Sequence, residues 1–164
     1  MELPAGLIIR PELGSDYSKI TRITDIAFGH SGEGKLIEAL RMNPLYIKGL
    51  SLVAIINAQV VGHILFFPVL IRSDNRVFRS LALAPMSVLP GFQGKGIGSA
   101  LISAGLDEAK AGKFDSVLVL GPRDYYLRFG FKPASRFGIE FPFEGSDDMF
   151  FALELRSDGL SGVS

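Results

Sequence analysis

Val88-Leu-Pro90-Gly-Phe-Gln93-Gly94-Lys95-Gly96-Ile97-Gly98-Ser99-Ala-Leu-Ile102 is the stretch that decides how this chain is read. An apolar run, Leu81 to Val88, leads into it, and a helical pattern, Gly96 to Ala111, leads out. Alternating glycines therefore sit where a strand becomes a helix. Glycine adopts backbone conformations that a side chain forbids and lets a ligand approach the main chain closely. The first amides of a helix have no internal partner and carry the positive end of its dipole. Such a turn seats a phosphate or pyrophosphate, and Lys95 adds a positive charge beside it. The bland reading, a connector between strand and helix, does not explain glycines that each lower helix propensity at a helix start.

Two common phosphate loops do not fit. A P-loop needs Ser or Thr after its lysine and a glycine five residues before it; here Gly96 follows Lys95, and Pro90 holds the earlier position. The dinucleotide fingerprint needs a third glycine three residues after the second, and that position is Ser99.

The flanking sequence has the composition of a globular domain. The chain has 164 residues, 48% of them apolar, and no net charge. That is enough for one domain with a real core, and it offers no basic excess to make nucleic acid the main partner. There is no cysteine, which excludes disulfides, thiolate metal sites and a thiol nucleophile. Glu2 and Arg10 interrupt any signal-peptide core, and Asn57, Gln59 and His63 cut the apolar stretches short of a membrane span. The expectation is a cytoplasmic protein with no membrane partner.

Residues 7–9 read as a first strand ended by Pro11. Ile20, Ile23 and Ala27 recur at helical spacing after capping groups at Gly14-Ser15-Asp16, and Gly29 stops that helix. Glu33 to Arg41 reads as a second helix, closed by Pro44. Strands follow over 50–56, 60–71 and 78–88, with turns at Asn57-Ala58 and Asp74-Asn75. Pro85 inside the third of these suggests a bulge or splayed edge. The helix after the glycine turn buries Ile97, Ala100, Leu101 and Ala104 and is capped at Gly112. A strand over 116–120, a brief helix over 123–129, an extended segment from Phe131, a loop over 141–146 and a strand over 149–155 complete the order. The Gly- and Ser-rich tail, 157–164, reads as flexible. The chain forms one domain, 1–164, without repeats or linkers.

Gln93-Gly94-Lys95-Gly96-Ile97-Gly98, preceded by Met86-Ser87-Val88-x-Pro90, resembles the acetyl-CoA pyrophosphate loop of the GNAT N-acetyltransferases and the strand before it. Tyr125-Tyr126-Leu127-Arg128-Phe129-Gly130-Phe131-x-Pro133 resembles the YhbS-like branch of that family. The resemblance covers about Ile9 to Leu155. It implies the GNAT fold, an α/β architecture with a mixed, mostly antiparallel sheet flanked by helices. It also implies acetyl transfer from acetyl-CoA, without a metal, to a primary amine by direct attack in a ternary complex. The absence of cysteine agrees with direct transfer. A non-catalytic acyl-CoA-binding regulatory module on the same fold is the alternative, and a nucleotide-binding protein of another class is a third reading.

By the same resemblance, amides of Gln93, Gly94, Lys95, Gly96, Ile97, Gly98 and Ser99 would hold the pyrophosphate. Val88 would pair with the pantetheine arm, and the Met86 amide would polarise the thioester carbonyl. Tyr126, or else Tyr125, would protonate the departing thiolate. A phenol near pKa 10 stays protonated where a thiol near 8.5 is ready to leave. The base is open. The run Arg79 to Val88 contains no acidic residue where several family members carry a glutamate. Glu33, which the YhbS-like branch directs at the acceptor groove, His63 and His30 are the side-chain candidates, and a water chain is another. Ala84 also stands where related sequences often have glycine. Asp147-Asp148 could recognise a cationic acceptor, and Arg123 and Arg128 an acidic one or a CoA phosphate. Solvated surface roles suit all four equally. The acceptor is not legible, since a fold does not fix a substrate. A homodimer is common in the family, but no feature of this sequence establishes it.

Overall fold

The computed structural model describes residues 2–140 and 147–163, so the expected loop over 141–146 lies outside the described residues. Among the described residues, seven strands and four helices follow in the expected order. They are β1 (Ile8–Pro11), α1 (Tyr17–Phe28), α2 (Gly32–Arg41), β2 (Ser51–Ile56), β3 (Gln59–Ser73), β4 (Arg76–Val88), α3 (Ile97–Ala111), β5 (Ser116–Leu120), α4 (Arg123–Leu127), β6 (Lys132–Pro133) and β7 (Phe150–Glu154). The sheet order is β1-β2-β3-β4-β5-β7-β6. It is mixed: β4 pairs with β5 in parallel, while β1–β2, β2–β3, β5–β7 and β6–β7 are antiparallel.

The chain divides into two compact units, and β3 and β4 run through both. The first comprises Met1–Phe67 and Ala84–Glu108. Its β2–β3 hairpin turns on Asn57 and Ala58, both at positive φ (50° and 64°), the conformation that a two-residue hairpin loop needs to match strand twist. Ile20 and Ile23 of α1 and Ile37 of α2 pack on Val53, Val60 and Leu65. The other sheet face receives α3 at unusually close range. A Cβ on Gly105 would lie 2.0 Å from the Phe66 ring, and one on Gly62 would lie 3.2 Å from Leu101. Of the inward positions expected on α3, Ile97 and Leu101 are buried, but Ala100 and Ala104 are only half-buried, and Ile102 takes their place in the core. The turn to α2 follows from Gly29, whose left-handed conformation (φ 77°) caps α1 by donating to the Asp25 carbonyl at 2.9 Å.

The second unit comprises Pro68–Leu83 and Ala109–Ser164. Here Ser80, Leu81 and Ala82 of β4 pair with Ser116, Val117 and Leu118. Asp115 pins the start of β5, accepting from the Arg79 amide at 2.9 Å and the Arg156 guanidinium at 2.8 Å. The extended segment expected from Phe131 is only two residues of strand, because the chain enters a 3-10 turn at Ala134–Phe137. Within the tail, one residue reaches the core. Leu160 is buried with Phe78, Phe150 and Ala152, and its amide donates to Glu154 at 3.1 Å.

Candidate functional site

The glycine turn is built as the sequence anticipates, with one refinement. Gly94 and Gly96 have φ of 75° and 83°, the left-handed region that disfavours any side chain. Gly98 lies within α3 and is not among the positive-φ residues. The Ala100 amide bonds the Gly96 carbonyl at 3.0 Å as the helix begins, so the amides of Ile97 and Gly98 precede the first rung of its ladder. A Cβ on Gly94 would meet no atom within 4 Å, so that face of the turn is open. The residues present therefore suit an anionic group: an open, glycine-lined bend at a helix N-terminus. Lys95 and Gln93 are exposed beside it, with the Lys95 ammonium 5.6 Å from the centre of the Phe92 ring. The Gln93 carboxamide donates to the Val88 carbonyl at 2.9 Å. That contact ties the turn back to the end of β4 and occupies one of the two lone pairs available for pairing there. Ile97 is buried and anchors the helix start; Ser99 is half-buried.

Met86 lies in β4, half-buried, one residue after Pro85, whose bond to Ala84 is cis. Its neighbour Ser87 is buried, and the Ser87 and Thr24 hydroxyls lie 3.2 Å apart.

In the second unit, Tyr126 is buried and Tyr125 half-buried, their rings edge-on at 5.1 Å. Phe131 packs against Tyr126, and Phe129 against Tyr125. Gly121 is what admits the Tyr126 ring, since a Cβ there would sit 2.3 Å from it. Burial first, then the adjacent Tyr125, pushes the Tyr126 phenol up to about 12, so it holds its proton at neutral pH. The Arg128 guanidinium lies 4.9 Å from the centre of the Tyr125 ring, and Arg123 is exposed. Asp148 is exposed in the 3-10 turn Asp147–Met149.

The three side-chain candidates for a base separate cleanly. Glu33 opens α2, and its Oε2 lies 3.2 Å from His30 Nδ1, which also accepts from the Gly32 amide at 3.1 Å. His63 is sealed in the core. Its Nε2 is 2.8 Å from the Ser51 hydroxyl and 3.6 Å from Glu12, and burial, opposed by Glu12, draws the imidazole below its ordinary value. It is a structural histidine.

Glu12 is the residue that sequence reading missed. It is fully buried, accepts two bonds of 3.0 Å from the Arg41 guanidinium and one from the Tyr46 hydroxyl, and faces His63. Burial alone would raise its carboxyl, but the bonds from His63, Arg41 and Tyr46 outweigh that and lower it to about 2. The sequence gives no signal for this cluster, because its partners lie 29 and 34 residues away.

The acetyltransferase (GNAT) domain model matches residues 48–133, just over half the chain. The chain belongs to the GNAT acetyltransferase family. It is 36% identical to the uncharacterised N-acetyltransferase YjhQ of Escherichia coli K12, over 74% of this chain and 67% of that one. Over 96% of this chain and 93% of the relative it is 28% identical to the uncharacterised N-acetyltransferase YhbS of the same organism. The solved structure of E. coli YhbS in complex with CoA superposes with a TM-score of 0.89 at 27% identity, covering 100% of this chain and 89% of that one. A GNAT family acetyltransferase from Brucella melitensis in complex with acetyl-CoA gives a TM-score of 0.73 at 34% identity, covering 90% and 87%. The YhbS-like resemblance read from the sequence is thus borne out. Among the described residues, no helix is long and apolar enough to cross a membrane.

Proposed function

We propose that this chain transfers an acetyl group from acetyl-CoA to a primary amine by direct attack in a ternary complex. The observation that carries the reading is the open bend at Gly94 and Gly96 feeding the N-terminus of α3. Two similar chains bind CoA or acetyl-CoA, which supports assigning the same ligand here.

In this reading the amides of residues 93–99 hold the pyrophosphate, with Lys95 contributing charge. Val88 main-chain groups pair with the pantetheine arm, and the Met86 amide stabilises negative charge developing on the thioester oxygen. The thioester supplies the activated acyl group and a thiolate that leaves. Tyr126 donates its proton to that thiolate. Its raised pKa suits the role, since an acid must be protonated before it can give. Tyr125 is the alternative donor. Glu33, exposed enough to meet solvent and next to His30, takes the proton of the acceptor ammonium, directly or through water. The reading includes a cytoplasmic location and leaves the acceptor at the level of a primary amine.

Thermal unfolding with acetyl-CoA, CoA, ATP and NAD in parallel tests it. Ligand at about a hundred times its dissociation constant adds about 2.7 kcal/mol, a shift of roughly 5–10 °C for a chain of this size. A shift with the CoA species and not with ATP or NAD is expected. No CoA shift overturns the reading. A shift without CoA release across a panel of amines favours the non-catalytic module.

A further inference from the structure

We propose that a cavity beside α1, in the first unit, binds a small apolar carboxylate. The cavity measures about 340 Å3, within the range of small-molecule sites. Lys19, Arg22, Ile23 and Ile26 contribute one stripe of α1, at spacings of three and four residues. Val60 and Leu89 form the facing wall. Ile23 and Val60 are buried, Leu89 is half-buried, and Ile26 and both cations are exposed. The lining is thus an apolar floor with two positive charges at its rim.

No acidic residue lines this cavity. Among the described residues, neither the Lys19 nor the Arg22 side chain has a hydrogen-bond or ion-pair partner. Three other cations among the described residues are paired: Arg10 with Asp16, Arg41 with Glu12 and Arg156 with Asp115. Asp16, whose charge Lys19 feels, is already bonded by Arg10 at 2.7 Å and by the Leu13 amide at 2.8 Å. A ligand that satisfies both halves of the cavity carries one negative charge on a compact hydrocarbon or aromatic body. A bare phosphate would meet the cations and leave Ile23, Ile26, Val60 and Leu89 uncovered. A neutral hydrocarbon would leave the rim uncompensated. None of residues 93–99 lines the cavity, so the inference does not rest on the acetyl-transfer reading.

The test is a titration of isotope-labelled protein, followed by NMR, with 2-naphthoate, 2-naphthylmethanol and inorganic phosphate. Naphthoate is expected to shift resonances of Lys19, Ile23, Ile26, Val60 and Leu89. The neutral alcohol should bind at least about tenfold more weakly, and the Lys19→Ala/Arg22→Ala double variant should lose naphthoate affinity by at least about tenfold. Both substituted side chains are exposed, so the fold is retained, and the same spectra report it. Naphthoate shifts elsewhere, no shift at millimolar ligand, equal binding of the alcohol, phosphate binding as tight as naphthoate, or an unaffected double variant would each overturn the proposal.

Discussion

Replacing Glu12 by Gln keeps the shape of a fully buried side chain and removes its charge, leaving Arg41 without its counter-ion. The Arg41 side chain is only 9% exposed, and its guanidinium faces both carboxylate oxygens at 3.0 Å. Breaking a buried pair from one side typically costs about 3–5 kcal/mol. An independent route gives a similar figure: lowering the carboxyl from its ordinary 4.5 to about 2 corresponds to roughly 3 kcal/mol of folding stability. The sign follows from the direction. A depressed carboxyl contributes fully above pH 4.5, and the contribution fades as pH falls towards 2. Urea unfolding of both proteins at pH 7 and pH 3 measures this. The Glu12→Gln variant should be about 3–5 kcal/mol less stable at pH 7, and the gap should narrow by roughly 2 kcal/mol at pH 3. The variant should still fold at neutral pH, since domains of this kind carry about 5–15 kcal/mol. Adding Arg41→Met should restore part of the loss, because removing both charges ends the burial of an unpaired one. A loss below about 1 kcal/mol, or a gap of the same size at both pH values, would refute the view that this carboxylate is ionised, buried and paired.

Two further substitutions probe other features. Tyr126→Phe should lower turnover by about 10²-fold or more, as removal of a general acid does, while the CoA-induced thermal shift stays unchanged. Tyr125→Phe should have little effect, and the opposite ranking in a CoA-release assay would reassign the acid. Gly105→Ala should gain about 1 kcal/mol of helix propensity but must displace the buried Phe66 ring, which the new Cβ would meet at 2.0 Å. Overpacking of about 1–3 kcal/mol wins, so urea unfolding should find the variant less stable, and a stabilised variant would show that the ring gives way freely.

Legibility in this chain follows the distance over which a feature is determined. The glycine turn was readable because its chemistry is local: bend, helix start and cation occupy consecutive positions. Even there, the sequence treats its three glycines alike, whereas only Gly94 and Gly96 have positive φ and Gly98 is helical. The helix stop at Gly29 and the turn at Asn57-Ala58 were readable for the same reason. The Glu12 cluster was not. Its members are drawn from the end of β1, the end of α2, the α2–β2 segment and β3, and nothing adjacent to Glu12 marks it as buried. The same cluster settles the character of His63. In the sequence it stands as a titratable residue on a strand, and only its fully buried setting beside Ser51 and Glu12 removes it from the candidates for a base.

The tail shows a different limit, because composition there does not reveal packing. Gly159 and Gly162, with serines between and around them, read as chain that solvent would take. The glycine at 159 has another cause. A Cβ there would lie 2.3 Å from the Asp115 carbonyl oxygen, so the position is small because backbone meets backbone, not because the segment moves. Asp115 organises that region: its amide donates to Arg79, its carbonyl accepts from Leu155, and its carboxylate holds Arg156. Gly159 follows that last contact closely and delivers Leu160 into the apolar cluster around Phe78 and Phe150. Glycine in a polar tail therefore served close packing, as Gly105 and Gly121 do within the body of the chain.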